Sequence, residues 1–299
     1  MQRLVSRSAR TAAPLRVQRA LSYYVPRGGH PAQTELCTGR AVFTEAYAVL
    51  PKGVMRDIVT SLLPNFQKAR AWIIARPMSG FIETFSQYIV EVSPGGGTNA
   101  DGAEVDAGVE AVLFVVGGDL KISIAGRKYT LQPGGYAYVP PGVPWTCSNK
   151  TDRPSTFHWI RKRYEAAPGI SPPAHFVTSD AETPGNDMPG TDGAWSTKRF
   201  ADPDDLAHDM HVNIVTFKPG ASIPFLETHV MEHGLYVLEG KAVYGLNKDW
   251  VEVEAGDFMV LRAFCPQACY AGGPSSFRYL LYKDVNRHAM LPHGKRAPI

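Results

Sequence analysis

The chain repeats itself at a nearly constant spacing, and this duplication constrains its fold more than any other feature. The matching landmarks are Glu110 and His233, 123 residues apart, Gly117 and Gly240, also 123 apart, and Trp145 and Gln267, 122 apart. The closing segments 157–164 and 277–284 correspond as well. Self-similarity at a fixed period predicts two copies of one structural unit, and 299 residues are enough for two ordinary domains.

Short strands are the predicted elements of each copy. Apolar and polar residues alternate in segments such as 136–142 and 252–261, and the chain is rich in glycine (28) and proline (24). Helical periodicity is weak throughout. We therefore expect an all-β protein of two tandem jelly-roll barrels. The predicted divisions are a flexible Arg-rich segment (1–30), a first barrel (31–165), a Pro/Gly-rich linker (166–195), a second barrel with the active site (196–290) and a tail (291–299).

The second copy carries a motif that resembles the metal-binding signature of the cupin family. That signature usually reads G-x5-H-x-H-x3-E-x6-G, followed by G-x5-P-x-G-x2-H. Here the donors keep their spacing between Gly220 and Gln267, but their order becomes Glu, His, His, Gln. The resemblance, together with the duplication, implies a bicupin with unusual ligands.

Four donors are predicted to meet in the second barrel: Glu227, His229, His233 and Gln267. The first three share parity, so on one strand they point to the same face. A carboxylate, two imidazoles and an amide suit octahedral Mn²⁺, with Fe²⁺ as second choice and Zn²⁺ ranked lower. Cys265 and Cys269 share parity with Gln267 and offer a soft-metal alternative, although buried cysteines are more often packing residues.

The first copy lacks such a set. Glu104, Asp106 and Glu110 align with the donors, but Trp145 replaces the last one, and an indole cannot ligate a metal. Three desolvated carboxylates would also repel one another. We expect a metal-free barrel whose carboxylates are exposed or paired with arginine or lysine.

Composition excludes several other functions. Charged residues make up 20% of the chain and the net charge is +3. Six arginines precede the first acidic residue, and the rest of the chain is near charge balance, so a nucleic-acid surface is not predicted. No apolar run is long enough to span a bilayer. Four scattered cysteines favour a reduced, cytoplasmic protein, although residues 1–24 also resemble an organelle transit peptide. A small-molecule substrate and a homo-oligomer, formed through exposed strand edges, are expected.

A closer resemblance rests on segments 227–251, 264–274 and 279–288. These segments look like the (S)-ureidoglycine aminohydrolases, manganese bicupins of purine and allantoin breakdown, which convert (S)-ureidoglycine and water to (S)-ureidoglycolate and ammonia. The resemblance implies that Mn²⁺ is bound by the four donors named above. It also implies substrate contacts from Glu227, Gln267, Tyr279, Lys283 and Tyr244, with Glu227, Tyr279 and Lys283 in catalytic roles.

The chemistry of these side chains is compatible with that activity. Lys283 could pair with the substrate carboxylate, although most lysines are solvated surface residues. Glu227 could bind metal and also transfer a proton, because the motif holds no other base. Direct displacement of ammonia and an imine route both remain open. The alternatives are a bicupin dioxygenase or other oxidoreductase, and a bicupin that binds a small molecule without catalysis.

Overall fold

The computed structural model describes residues 40–52, 60–77 and 82–284. The predicted N-terminal segment, the stretch 1–24 and the C-terminal tail lie outside these residues. Every named element in the described part of the chain is a β-strand, which confirms the all-β prediction. None of the described segments forms a helix with the length and apolar character needed to cross a membrane.

Two short strands open the described chain, and nine strands then build the first barrel. In chain order they are β1 (Val42–Phe43), β2 (Tyr47–Leu50), β3 (Phe66–Ala75), β4 (Phe85–Thr98), β5 (Val109–Gly117), β6 (Leu120–Ile124), β7 (Arg127–Leu131), β8 (Gly135–Val139), β9 (Trp145–Ser148), β10 (Ser155–Arg163) and β11 (Phe176–Ser179). The sheet order is β11-β8-β5-β10-β4-β9-β6-β7, with β3 beside β4. Trp145 and Trp159, whose ring centres are 5.2 Å apart, fill the interior.

The second barrel consists of two sheets that enclose an apolar core. Its further strands are β12 (Gly185–Asp187), β13 (Trp195–Arg199), β14 (Met210–Phe217), β15 (His233–Glu239), β16 (Lys241–Leu246), β17 (Asp249–Glu254), β18 (Phe258–Leu261), β19 (Gln267–Tyr270) and β20 (Phe277–Asp284). The larger sheet has the order β1-β2-β18-β15-β20-β14-β13-β12, and the smaller has β17-β16-β19. Side chains from both sheets, including Phe217, Tyr244 and Phe277, meet between them. The predicted two-barrel architecture is therefore confirmed.

The chain crosses between the barrels at places that the predicted boundaries do not mark. β1 and β2 fall within 31–165, yet β2 pairs with β18 of the second barrel. The segment predicted as linker, 166–195, contains ordered strands: β11 joins the first barrel beside β8, and β12 pairs with β13. A high content of proline and glycine is compatible with such short edge strands.

A third apolar core joins the two barrels face to face. Phe85 of β4 stacks on Tyr282 of β20 with ring centres 3.9 Å apart. Near them the Gln87 amide and the His158 ring are hydrogen-bonded at 3.1 Å. Complete burial lowers the pKa of His158 to about 3, so this histidine is neutral inside the interface.

One buried carboxylate fixes the beginning of β15 against the first barrel. Glu232 accepts hydrogen bonds from the backbone nitrogens of Glu83 and Thr84, both at 2.9 Å, and from the Thr84 hydroxyl at 2.7 Å. Its own backbone nitrogen donates to Asp284 at 2.8 Å. Because His233 follows directly, the first barrel helps to position a predicted metal ligand.

The barrels correspond to each other at an offset of 122 residues. Arg161 lies opposite Ala111 in the ladder between β10 and β5, and Lys283 lies opposite His233 in the ladder between β20 and β15. Each ladder then carries a one-residue bulge at the matching place. Residue-by-residue agreement of strand register and bulge supports the predicted duplication.

This register corrects the alignment made from the sequence. Gly118, rather than Gly117, matches Gly240: both have positive φ, 65° and 73°, and both lie tightly against the backbone of the neighbouring turn, at residues 154–155 and 276–277. Glu110 accordingly matches Glu232, and the closing strands correspond at 122 residues instead of 120. Adjacent glycines at 117 and 118 allow either alignment in the sequence, whereas the bulged ladder allows only one.

Candidate active site

Polar side chains gather at one end of the interior of the second barrel. Along β20, Phe277 and Tyr279 lie in the apolar core, and Lys283 follows on the same face. Along β15, Leu235 is in that core and His233 precedes it on the same face. Because side chains alternate along a strand, the parity of the core residues places Lys283 and His233 inside the barrel.

Glu227 and Gln267 are held side by side by two backbone hydrogen bonds. The Glu227 nitrogen donates to the Gln267 oxygen at 3.0 Å, and the Gln267 nitrogen donates to the Glu227 oxygen at 2.8 Å. This isolated bridge extends the smaller sheet by one short segment. The smaller sheet thus contributes Glu227 and Gln267, whereas β15 of the larger sheet contributes His233.

The expectation that Glu227, His229 and His233 lie on one strand is wrong. β15 begins only at His233, and residues 228–232 form an irregular connection from the smaller sheet to the larger one. The three side chains still converge: Glu227 Oε1 lies 3.4 Å from His229 Nε2, and the rings of His229 and His233 are 5.1 Å apart. The backbone nitrogen of Phe264 donates to the His229 oxygen at 2.6 Å and fixes the connection.

Two of the donors are buried without a hydrogen-bonding partner. Neither the His233 imidazole nor the Gln267 amide makes a side-chain hydrogen bond to the described residues, although both residues are buried. Burial, with His229 and Lys283 nearby, lowers the pKa of His233 to about 3, so its ring is neutral and has a free lone pair. Buried polar groups normally have a hydrogen-bonding partner. Two that lack one here are therefore compatible with a bound cation.

The donor set has the composition expected for a hard or borderline cation. Carboxylate, imidazole and amide groups are suitable ligands for Mn²⁺ or Fe²⁺, and they suit these ions better than thiols do. Within the described ranges, no three His, Cys, Asp or Glu side chains are already gathered as a metal cluster. The fourth predicted donor is an amide, and the Glu227 carboxylate contacts His229 directly.

The two cysteines near the site are free and buried. Cys265 and Cys269 share the inner face with Gln267, as their parity indicates. Burial raises the pKa of Cys269 to about 12 and also raises that of Cys265. Protonated thiols are poor metal ligands and poor nucleophiles, which disfavours the soft-metal alternative.

Tyr279 and Tyr244 line the interior beside the donors. Both are buried, and their ring centres are 6.3 Å apart. The Tyr244 hydroxyl has no well-formed hydrogen bond and lies close enough to Tyr279, Cys269 and Glu227 for all three to influence its pKa. Burial raises the pKa of both phenols far above the ordinary value, so each keeps its proton and can donate it in a hydrogen bond.

Lys283 is half-buried and has no anionic partner among the described residues. Burial and the nearby Arg199 lower its pKa, and Asp284 and Glu227 act in the opposite direction. The matching residue of the first barrel, Arg161, is instead bound to Glu104 through two hydrogen bonds of 2.6 and 2.5 Å. The second barrel therefore presents an unpaired cation where the first supplies its own carboxylate.

Three further residues at this end were not singled out in the sequence. His211 and Asn213 of β14 share the inner face with Val215 and Phe217, and Arg199 of β13 pairs with Asn213. The alternation of residues in segment 210–217 places every second side chain inside the barrel and could have identified His211 and Asn213. This segment lies outside the metal-binding motif, so the motif alone does not include them.

In the first barrel, no potential ligands stand where the second has its donors. At the offset of 122, the counterparts of Glu227, His229, His233 and Gln267 are Val105, Ala107, Ala111 and Trp145. The carboxylates are used elsewhere, as predicted for two of them: Glu104 pairs with Arg161, and Asp106 with Arg163. Glu110 differs, because it faces the core between the barrels and accepts a hydrogen bond from Tyr138 at 2.8 Å.

Comparison with known families agrees with the two-barrel organisation. Two segments of the chain, residues 88–161 and 213–282, match the family described as the Cupin domain. One segment lies in each barrel and includes most of its closing strand.

Whole-chain similarity is more specific. An Escherichia coli K12 protein named (S)-ureidoglycine aminohydrolase is 33% identical over 258 residues, which cover 85% of this chain and 94% of that protein. An Arabidopsis thaliana protein of the same name is 32% identical over 185 residues, or 61% of this chain and 59% of that protein. A Pseudomonas aeruginosa protein of known crystal structure, described as glyoxylate-induced, is 63% identical in sequence to this chain. The structural match covers 91% of this chain and 99% of that protein, with a TM-score of 0.85. The similarity extends over both barrels.

Proposed function

Because the chain belongs to the (S)-ureidoglycine aminohydrolase family of bicupins and is a hydrolase acting on a C–N bond, we propose that it converts (S)-ureidoglycine and water to (S)-ureidoglycolate and ammonia. The observation that carries the proposal for this chain is that Lys283, which forms no ion pair with the described residues, lies beside an inward donor set in the same barrel. A small substrate with a carboxylate and an amine on one carbon fits such a site. The proposed setting is purine and allantoin breakdown.

We propose that the donors hold Mn²⁺, with Fe²⁺ as second choice. Glu227, His229, His233 and Gln267 would be the ligands, and the neutral imidazole of His233 supports this role. When bound, the ion would supply a Lewis acid with open positions for the amine and carboxylate of the substrate. The remaining steps are assigned to side chains of this chain.

Lys283 is proposed to bind the substrate carboxylate. Its ammonium lies on the inner face beside His233 and lacks the carboxylate that its counterpart Arg161 has. A charge-assisted hydrogen bond in a half-buried site orients the substrate as well as binding it.

Tyr279 and Tyr244 are proposed to orient the rest of the substrate. Both phenols stay protonated, so each can donate a hydrogen bond to a carboxylate or carbonyl oxygen. The unsatisfied Tyr244 hydroxyl favours a ligand that completes its hydrogen bonding.

Glu227 is proposed to handle a proton at the reacting carbon. It is partly exposed and contacts His229, so it lies at the open side of the donor set. As the amine leaves as ammonia, its nitrogen must gain a proton, and the incoming water must lose one. A carboxylate in this position could serve both events, in a direct displacement or in elimination to an imine followed by addition of water.

The experiment is metal analysis of the purified protein combined with ammonia release from freshly generated (S)-ureidoglycine. We expect about one Mn²⁺ per chain, ammonia above the spontaneous rate and no oxygen uptake. His233→Ala should abolish the enzymatic ammonia, whereas Thr216→Ala, on the outer face of β14, should not. No ammonia above the spontaneous rate would refute the proposed function, and oxygen uptake would favour the oxidoreductase alternative.

A further inference from the structure

Two polar side chains on β14 face the interior of the second barrel and are not used in the proposed function. Met210, Val212 and Ile214 of this strand lie in the core between the barrels. The residues that alternate with them, His211 and Asn213, therefore point to the opposite, inner face.

Both side chains are buried without a hydrogen-bonding partner among the described residues. His211 is 7% exposed and Asn213 is 3% exposed, and neither side chain makes a hydrogen bond to the described residues. The Asn213 Oδ1 atom is sealed from solvent and unsatisfied. A buried amide and a buried imidazole are costly to leave unpaired, and native proteins rarely do so without a ligand, water or functional reason.

These side chains lie beside the proposed reaction site. His211 is the direct ladder partner of Lys283, which is in turn the ladder partner of His233. Two strand spacings, about 10 Å, separate the backbones of His211 and His233, and the side chains of both extend into the space between the sheets. A ligand held between the metal donors and Lys283 would extend toward β14.

At the corresponding position of the first barrel, the polar side chains are hydrogen-bonded to each other. There Tyr88 stands opposite Trp159 as Asn213 stands opposite Leu281 in the second barrel. The Tyr88 hydroxyl accepts a hydrogen bond from Arg161 at 3.1 Å. Protein groups thus satisfy one another in the first barrel at the position where Asn213 is left unpaired in the second.

We propose that His211 and Asn213 bind the ureido group of the substrate, an inference that rests on the function proposed above. A ureido group is planar and neutral, with one carbonyl acceptor and several N–H donors. A neutral imidazole and an amide together provide both donors and acceptors for such a group. Burial, together with Lys283, His208 and Arg199, lowers the pKa of His211 to about 4 against the weaker opposing effect of Asp202, so the ring is neutral.

The test is the binding of two small acids to the Mn²⁺-loaded protein by calorimetry. (S)-Ureidoglycolate carries the ureido group, and glycolate has a hydrogen in its place while keeping the hydroxyl and carboxylate. We expect the wild-type protein to bind (S)-ureidoglycolate more tightly. Asn213→Leu and His211→Phe should each reduce this preference about 10-fold while changing the glycolate affinity less than twofold.

Two further variants keep the test decisive. His211→Gln retains a donor and an acceptor and should recover part of the preference, and Thr216→Ala on the outer face should leave it unchanged. Equal weakening of both acids, an unchanged preference, or a wild-type protein that binds both acids equally would overturn the inference. Failure of the proposed function is distinguishable, because it would appear as wild-type protein that releases no ammonia above the spontaneous rate.

Discussion

Lys283 lies directly opposite His233 across the antiparallel ladder between β20 and β15, so a cation and a predicted metal ligand share one rung of the inner face. Lys283 lies close enough to contribute to the lowered pKa of His233. A cation that can bind an anion and a neutral imidazole that can bind a metal are thereby placed side by side. This arrangement fits a substrate whose carboxylate binds the protein and whose reacting carbon lies next to it.

Removing the ammonium should impair catalysis more than folding. Lys283→Met keeps the aliphatic length but loses the charge, and we expect kcat/KM to fall about 10- to 100-fold, the equivalent of one charge-assisted hydrogen bond. Lys241→Met, an exposed lysine of β16, is the matched control and should retain full activity. Steady-state ammonia release distinguishes the two, and equal activity of both variants would contradict the role of Lys283.

Glu227→Gln separates metal binding from proton transfer. The amide keeps an oxygen donor but cannot take up a proton, so we expect turnover to fall by about 10²- to 10⁴-fold at saturating Mn²⁺. Metal content, measured by mass spectrometry of the dialysed protein, should decrease much less. Near-normal turnover at saturating metal would show that Glu227 acts as a ligand alone.

The core between the barrels should make stability sensitive to acid. The pKa of His158 is lowered to about 3 by burial, so between pH 6.5 and 3 the unfolded chain binds a proton that the folded chain does not. Stability therefore falls as the pH falls, and this one group accounts for about 2 kcal/mol between pH 7 and pH 5. Urea unfolding at both pH values should show a smaller loss for His158→Gln than for the wild type. An identical loss would assign the acid sensitivity to other groups.

Motif spacing predicted which residues belong to the candidate site better than it predicted the backbone path between them. The spacing identified Glu227, His229 and His233, whose side chains lie near one another, and Gln267, whose backbone pairs with that of Glu227. It gave no information about the path between them, because an irregular connection and a strand can carry the same spacing. The bridge between Glu227 and Gln267 depends on pairing between distant segments, which a local pattern cannot encode.

The two-barrel architecture was predictable from local sequence patterns, but the pairing of β1 and β2 with the second barrel was not. Alternation and duplication indicated two barrels, but β1 and β2 joined the second barrel because β18 offered an unpaired edge. That Lys283 forms no ion pair within the described part of the chain was beyond sequence reasoning, since it depends on which carboxylates reach it. The contrast with Arg161, which is paired with Glu104, makes this visible.

A turn glycine should be irreplaceable where the backbone is crowded. Gly240 has φ 73°, and a Cβ there would lie 2.2 Å from the Ser276 oxygen, so Gly240→Ala combines backbone strain with a clash. Gly126 has φ 80° but nothing within 4 Å, so Gly126→Ala carries the strain alone. We expect a loss of about 1 kcal/mol for Gly126→Ala and at least twice that for Gly240→Ala by urea unfolding. Equal losses would mean that the Ser276 turn moves aside freely.

Arg199 should attract anionic ligands to the mouth of the second barrel. It is exposed, has no ion pair with the described residues, and lies close enough to Lys283 and His211 to lower the pKa of both. Arg199→Gln should raise the inhibition constant of (S)-ureidoglycolate about 3- to 10-fold at low salt.

The salt dependence identifies the cause of that effect. Because exposed charges are screened at high ionic strength, the difference between Arg199→Gln and the wild type should shrink toward zero near 0.5 M salt, where the screening length is about 4 Å. Lys128→Gln, an exposed lysine of β7 in the first barrel, removes the same charge far from the site and should match the wild type at every salt concentration. A difference that persists undiminished at high salt would mean that Arg199 binds the ligand directly and does not act through its long-range field.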